Sequence, residues 1–264
     1  IFQNEEKAKR AAELVIANKE LIFQNEEKAK RAAELVIANK ELIFQNEEKA
    51  KRAAELVIAK LKVVHNEKLH ILLMETIDLV RKLVELRDPY TSGHEKRVGD
   101  LAKAIGTGMG FDANHQEALM IAGYLHDLGK IAVPVEILVK PGKLSKQEFE
   151  LIKNHVLAGY NLLKDITFPW KIARTVLEHH ERLDGSGYPN GIKAEEISID
   201  GRILAVADVV EAMSSFRPYR ATLGIERALT EIERGRGSLY DENVVDVCLK
   251  LFHEEGYELN SSLL

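Results

Sequence analysis

The sequence predicts an all-α protein in which a long N-terminal helix precedes a helical domain. The first 87 residues contain neither glycine nor proline, and most of them follow a seven-residue apolar repeat. The later residues place apolar side chains at helical spacing, in segments separated by loops that contain glycine and proline. No stretch alternates apolar and polar side chains clearly enough to predict a strand.

The N-terminal helix is predicted from an internal repeat. The segment IFQNEEKAKRAAELVIANKEL occupies Ile1–Leu21, recurs once unchanged, and begins a third time before diverging after Ala59. Because its 21 residues are three heptads, every copy presents the same helical face. The segment is rich in Glu, Lys and Ala, which favour helix. The helical period continues over residues 60–87, and Pro89 ends it.

Two interpretations of this helix remain open. In one, two chains form a parallel coiled coil whose recurring asparagines, such as Asn4 and Asn18, fix the register. In the other, a single charged helix is stabilised by pairs such as Glu5–Lys9. The homodimer is favoured, because a lone helix would leave a long apolar stripe in water. The pattern also resembles the linkers of bacterial signalling proteins, and the chain starts inside a repeat, so we expect an upstream sensor domain.

We assign residues 1–87 to the helical linker and residues 88–264 to one catalytic domain, whose length suits a single core. Apolar periodicity predicts seven helices there. They are His94–Met109, Asn114–His126, Lys146–Lys164, Ile172–Glu181, Arg202–Ser215, Ile225–Glu233 and Glu242–Glu254.

Composition narrows the class of protein. The net charge of -5, from 37 basic and 42 acidic side chains, argues against binding to a nucleic-acid polymer, although a small basic pocket for a phosphate ligand remains open. Cys248 is the only cysteine, so the chain has no disulfide and fits a reducing compartment. No apolar run approaches the ~18 residues of a membrane span. We therefore expect a cytoplasmic protein.

Five histidines and two aspartates form the strongest candidate site. Singly, each is more often structural than a ligand, and a buried aspartate such as Asp208 needs a partner. Together they offer the imidazole and carboxylate donors that suit Fe, Mn, Zn, Co or Ni, and a shared carboxylate would allow two ions. The candidate ligands are His94, His126, Asp127, His155, His179, His180 and Asp208. Surface positions are predicted for the histidines in polar or linker surroundings, His65, His70, His115 and His253.

Several dispersed motifs resemble one family. His126-Asp127 followed by Gly129-Lys130 is similar to the HD superfamily of metal-dependent phosphohydrolases, and HHERLDGSGYP at 179–189 resembles the signature of its HD-GYP group. The runs RDPYTSGH, VPVEILVKPGKLS, RILAVADVVEAM and RPYR match that group in the expected order. The resemblance covers nearly all of residues 88–252 and none of the repeat. It implies a helical bundle with a metal centre that hydrolyses cyclic di-GMP to linear pGpG or GMP.

Carried over by position, the resemblance implies two divalent transition-metal ions, with Fe or Mn favoured over Zn, Ni or Co. The first ion would be held by His94, His126, Asp127 and Asp208. The second would share Asp127 and add His155, His179 and His180. Some members hold a third ion through a glutamate four residues before the first histidine, where this chain has Tyr90. Two ions are therefore expected.

The resemblance also implies roles around the metal centre. Asp127 would act in catalysis through the metals, and Lys130 would reach the scissile phosphate. Arg217 and Arg220 would clamp phosphate through their forked donors. Asp184 is either a proton donor or an acceptor that organises its loop. The glycines and the proline of the GYP segment are expected to expose Tyr188 for loop packing or for contact with protein partners.

Three functions remain in competition. The leading hypothesis is an active phosphodiesterase that a sensor switches through the coiled coil. The second is a module that binds a cyclic dinucleotide but turns it over too slowly to matter. The third is an HD phosphohydrolase with another substrate, and cyclic GMP-AMP is not excluded.

Overall fold

The computed structural model describes residues 2–87, 93–215 and 224–259. The chain divides into two compact units, one ending at His70 and the other beginning at Ile71. The described residues form helices and no strand, with one isolated bridge between Arg236 and Tyr240. The all-α prediction is confirmed. Within those three ranges, no helix combines the length and the apolar character that crossing a bilayer requires.

The predicted N-terminal helix is present as α1, Phe2–Glu85, which is continuous through all copies of the repeat. In the first unit the apolar side chains of this helix are exposed, as the 65% exposure of Leu14 and the 69% exposure of Ile16 illustrate. Local pairs such as Arg10 with Glu6 add little to the stability of the helix, because both side chains are in water.

The last turns of α1 belong to the second unit and contribute to its core. Ile77 and Val84 are buried, and the buried guanidinium of Arg81 is paired with Asp78 and Glu85 on the same helix. The compact unit thus begins before the predicted domain start at residue 88, although a functional boundary at that position stays a prediction.

The remaining helices agree closely with the predicted ones. Their bounds are α2 His94–Gly108, α3 Ala113–Leu125, α4 Val135–Leu138, α5 Lys146–Leu163, α6 Ile172–Glu178, α7 Ile199–Ser214, α8 Ile225–Arg234 and α9 Glu242–His253. Two short 3-10 helices, Leu128–Ala132 and Ala194–Glu196, complete the described elements. The periodicity did not predict α4 or the 3-10 helices, because a single turn is too short to show a period.

One apolar core joins α2, α3, α7, α8 and α9. Cys248 is buried in this core, as predicted. Helices α2 and α3 approach closely where Gly99 faces Gly123, since a β-carbon on Gly123 would lie 2.3 Å from the α-carbon of Gly99. Both helices also contact α7, where Oδ1 of Asp208 lies 3.3 Å from Nε2 of His94 and 3.9 Å from Nε2 of His126. Both candidate ligand segments, at His94 and at His126, lie there.

Candidate metal centre

The fold brings all seven candidate ligands into one cluster, in which every member except the partly buried His180 is buried. His94 begins α2, His126 and Asp127 follow α3, and His155 lies on α5. The others follow α6 or lie on α7: they are His179, His180 and Asp208. Three overlapping sets have ligand atoms within 4.8 Å of one another. These are His94–His126–Asp208, His126–Asp127–His179 and His155–His179–His180.

The carboxylate of Asp127 lies between the two ends of the cluster. Its Oδ2 is 3.3 Å from Nε2 of His126 and 3.7 Å from Nε2 of His94, while its Oδ1 is 3.3 Å from Nε2 of His155. At the first end, Oδ1 of Asp208 is 3.3 Å from Nε2 of His94. Each oxygen of Asp127 therefore faces a different set of histidines, which is the geometry of a carboxylate that can bridge two ions.

Local hydrogen bonds determine the tautomers of three histidines. Nδ1 of His126, His155 and His179 lies 2.6–2.7 Å from the backbone carbonyl three residues earlier in the chain. Because a carbonyl can only accept, each Nδ1 carries a proton, and in the neutral imidazole Nε2 therefore keeps its lone pair. Nε2 of His155 and of His179 is buried and makes no hydrogen bond within the described part of the chain. Buried lone pairs converging beside a carboxylate fit a divalent metal ion.

The pKa values differ between the two ends of the cluster. At His94, burial acts to lower the pKa, but the carboxylates of Glu211 and Asp208 outweigh it and raise the pKa to about 10. At His180, burial dominates and lowers the pKa to about 3. Despite burial, neighbouring cations hold the pKa of Asp127 and of Asp208 well below the usual range. The two aspartates are thus ionised and His180 is neutral, which are the protonation states that bind metals, whereas His94 must lose a proton before it can bind an ion.

Lys130 lies at the edge of the cluster, where its Nζ is 2.7 Å from Oδ2 of Asp127. It is positioned by the 3-10 helix Leu128–Ala132, which packs directly on α5. The contact is so close that a β-carbon on Gly129 would lie 1.8 Å from the carbonyl oxygen of His155. Only glycine fits there, and this contact sets the spacing between Asp127 and His155.

The GYP loop covers one side of the cluster. The ring of Tyr188 lies 4.6 Å from the ring of His180 and meets Phe149 edge-on at 6.5 Å. The expectation that this loop exposes Tyr188 is therefore wrong: the side chain is half-buried, because its ring packs on a candidate ligand. The exposed Asp184 accepts a hydrogen bond from the backbone N–H of Ser186, and such bonds lower its pKa. Of its two predicted roles, the geometry favours the one that organises the loop.

The sequence of this chain matches the model of a known protein family. The family model described as HD domain matches residues 78–244, more than half of the chain. The chain belongs to the HD domain family.

The chain is also similar to curated relatives and to one solved structure. The chain is 44% identical to a cyclic di-GMP phosphodiesterase of Thermotoga maritima over 69% of this chain and 50% of the relative. It is 33% identical to the 3'3'-cGAMP-specific phosphodiesterase 1 of Vibrio cholerae serotype O1, over 67% of this chain and 42% of the relative. The chain thus spans about half the length of the curated relatives it matches. The HDG"Y"P protein Bd1817 of Bdellovibrio bacteriovorus shares the fold, with a TM-score of 0.51 at 17% identity, over 60% of this chain and 51% of that one.

Three buried glutamates and one partly buried arginine of this HD domain were not predicted from the sequence. Glu211 lies against Nδ1 of His94, and Arg97 pairs with Glu211. Oε1 of Glu181 accepts the backbone N–H of Asn190 at 2.8 Å and so holds the GYP loop. Glu95 buries both carboxylate oxygens without a hydrogen-bond partner among the described residues. Only Glu211 left a signal, since it lies three residues after Asp208 in the apolar part of α7 and so shares its face.

The sequence also makes predictions for the position of a third metal ligand, for two arginines and for four histidines outside the cluster. Tyr90, Arg217 and Arg220 lie outside the described residues. The surface prediction for His65, His70 and His253 agrees with their exposure. His115 differs from that prediction, because it is half-buried: its ring stacks on Phe111 at 4.2 Å, and its Nε2 is 2.6 Å from Oδ1 of Asp200.

Proposed function

We propose that the second unit is a metal-dependent phosphodiesterase that hydrolyses cyclic di-GMP to linear pGpG or GMP. The position of Asp127 carries this proposal, because its two oxygens face two separate histidine sets. The relative from Thermotoga maritima, which is named a cyclic di-GMP phosphodiesterase, supports the substrate. When two divalent ions are bound, they supply an activated water and neutralise phosphate charge.

The arrangement of the cluster supports the two sets of ligands that the sequence predicts. His94, His126, Asp127 and Asp208 would hold one ion. Asp127, His155, His179 and His180 would hold the other. Mixed nitrogen and oxygen donors are compatible with Fe or Mn, which we favour, and with Zn, Co or Ni. Because Tyr90 offers no carboxylate, we expect two ions per chain.

The residues around the cluster would orient the substrate. Lys130 supplies a positive charge beside Asp127, where a phosphate oxygen would lie. Arg217 and Arg220 would hold the non-bridging oxygens as forked donors. Tyr188 would close the side of the site at His180 and limit access by water, since its ring covers that imidazole.

The alternative substrate is cyclic GMP-AMP, for which the Vibrio cholerae relative is named as specific. To separate these functions, chain loaded with Mn²⁺ or, without oxygen, with Fe²⁺ is incubated with cyclic di-GMP, cyclic GMP-AMP and cyclic di-AMP. The products are then separated by chromatography. We expect cyclic di-GMP to be consumed fastest, and metal analysis to give about two ions per chain. Faster loss of cyclic GMP-AMP would support the second substrate, and tight binding without products would support a binding module.

Asp127→Ala is the matched negative control for this assay. Removing the shared anion should abolish turnover and lower the metal content, because two cations would repel each other without it. Full activity in this variant would refute the assignment of the metal centre.

We infer that α1 forms a parallel coiled coil with a second copy of the chain. The first apolar position of its heptads is exposed in the single chain by 55–59% at Val15, Ile22, Val36, Ile43 and Val57. A second helix would remove this stripe from water. On this proposal residues 1–87 act as a linker that transmits a signal to the catalytic domain, residues 88–264. The GYP loop is a candidate contact for protein partners.

A further inference from the structure

His94 differs from three other histidines of the cluster in what binds its Nδ1. His126, His155 and His179 all have a turn of their own helix before them, and its carbonyl accepts the Nδ1–H. His94 is the first residue of α2, so no turn of that helix precedes it. Its Nδ1–H instead donates to the carboxylate of Glu211, which is 117 residues away on α7.

Glu211 is itself held in place. The guanidinium Nε of Arg97 donates to its Oε1 at 2.6 Å, and the Ser215 hydroxyl donates to the same oxygen at 2.5 Å. The other oxygen, Oε2, accepts from His94. Glu211 is 1% exposed, so its charge is little screened by water. Since Arg97 lies one turn after His94 on α2, the same helix supplies both partners of this carboxylate.

We propose that Glu211 is a positioning residue that orients His94 for metal binding and strengthens the binding of one of the two ions. This inference rests on the proposed metal centre. A carboxylate that accepts the Nδ1–H fixes the tautomer of the histidine. It also makes the lone pair of Nε2 more basic, so that Nε2 binds a metal ion more strongly. The carbonyls behind His126, His155 and His179 orient those rings without a full negative charge. The ion held by His94 and Asp208 should therefore depend on Glu211, and the ion held at His155, His179 and His180 should not.

The chain contains a matched control in Glu178 on α6. Glu178 is also buried, with 4% exposure, and its carboxylate likewise binds an arginine and a serine. Nε of Arg174 donates to it at 2.6 Å, and the backbone N–H and hydroxyl of Ser198 donate at 2.8 Å and 2.5 Å. No imidazole is among these partners. Glu178→Gln therefore removes a comparable buried charge without touching the side chain of a candidate ligand.

The test measures metal affinity and not activity. Apo protein is titrated with Co²⁺ or Mn²⁺ in competition with a chromophoric chelator, for the wild type, Glu211→Gln, Glu211→Ala and Glu178→Gln. We expect two ions in the wild type. Both Glu211 variants should weaken one ion by about 10- to 100-fold, the usual effect of losing such a partner. The other ion should change by less than about threefold, and Glu178→Gln should leave both unchanged.

The outcomes separate this inference from the proposed function. Wild-type protein that binds no ion would refute the metal centre itself. If the wild type binds two ions and Glu211→Ala keeps both affinities, only the role of Glu211 is refuted. An equal loss in Glu178→Gln would also refute it, because the effect would then be general to buried charge. Circular dichroism of each variant checks the fold, and if Glu211→Ala is unfolded, Glu211→Gln decides the question.

Discussion

Replacing Glu95 with glutamine should stabilise the metal-free protein. Glu95 is 1% exposed, and neither carboxylate oxygen has a hydrogen-bond partner among the residues that the structure describes. Burial raises its pKa from 4.5 to about 7; the positive charge of His94 opposes this shift and the negative charge of Asp127 reinforces it. When Glu95 is ionised in both the folded and the unfolded chain, the difference between its two pKa values lowers the free energy of unfolding by roughly 3 kcal/mol.

The effect should depend on pH with a defined sign. Between about pH 4.5 and 7 the folded chain keeps the proton that the unfolded chain has lost, so the stability of the wild type falls as pH rises. Glutamine does not titrate and removes this loss. We therefore expect Glu95→Gln to raise the free energy of unfolding by about 3 kcal/mol at pH 8 and by less than about 1 kcal/mol at pH 5.

Urea unfolding after chelation of metals measures this difference. The single tryptophan, Trp170, packs against the core and reports the transition of the second unit. With an m value of about 3 kcal/mol per M, the midpoint at pH 8 should rise by about 1 M. Glu233→Gln, which alters an exposed glutamate on α8, should move the midpoint little at either pH. An equal gain at pH 5 and pH 8, or none at pH 8, would refute an ionised and unpaired Glu95.

Three further predictions concern the site and the linker. Gly129→Ala should lower both stability and metal content, measured by urea unfolding and elemental analysis, because its β-carbon would overlap the carbonyl of His155. Lys130→Ala should lose turnover while keeping two ions, because it removes a cation and no ligand. Deleting residues 1–21 should preserve a dimer in light scattering, because the heptad phase is kept. Deleting four residues from one copy of the repeat should disturb the heptad phase.

A specific result would contradict each of these three predictions. Wild-type stability in Gly129→Ala would mean that the 3-10 helix can move away from α5. Lys140→Ala, which breaks a lysine–glutamate pair with Glu148 away from the candidate ligands, is the control for Lys130→Ala and should keep full turnover. Loss of metal in Lys130→Ala would indicate a structural role. A monomer at micromolar concentration would refute the coiled coil.

Much of the fold could be predicted because its signals are local. Each long helix carries several turns of apolar period, and glycine or proline residues interrupt the period between helices. The ends of the helices were predicted less accurately. The helix predicted from Ile172 extends to Glu181, but α6 ends at Glu178. Beyond that point the chain turns into the GYP loop, where the carboxylate of Glu181 binds the backbone at Asn190. That contact joins two residues nine positions apart, so it leaves no periodic pattern in the sequence.

The candidate ligands could be predicted from residue type and motif, but the groups that orient them could be predicted only in part. The helical turn before His126, His155 and His179 supplies each of them with a carbonyl acceptor for its Nδ1–H, so these contacts are local in sequence. His94 begins a helix and needs an acceptor from elsewhere. Helix periodicity cannot indicate that this acceptor is Glu211, because the pairing depends on how α2 and α7 cross. The ligand at the start of a helix is thus the one whose geometry depends on tertiary packing, and its ion should be the more sensitive to substitutions in the core.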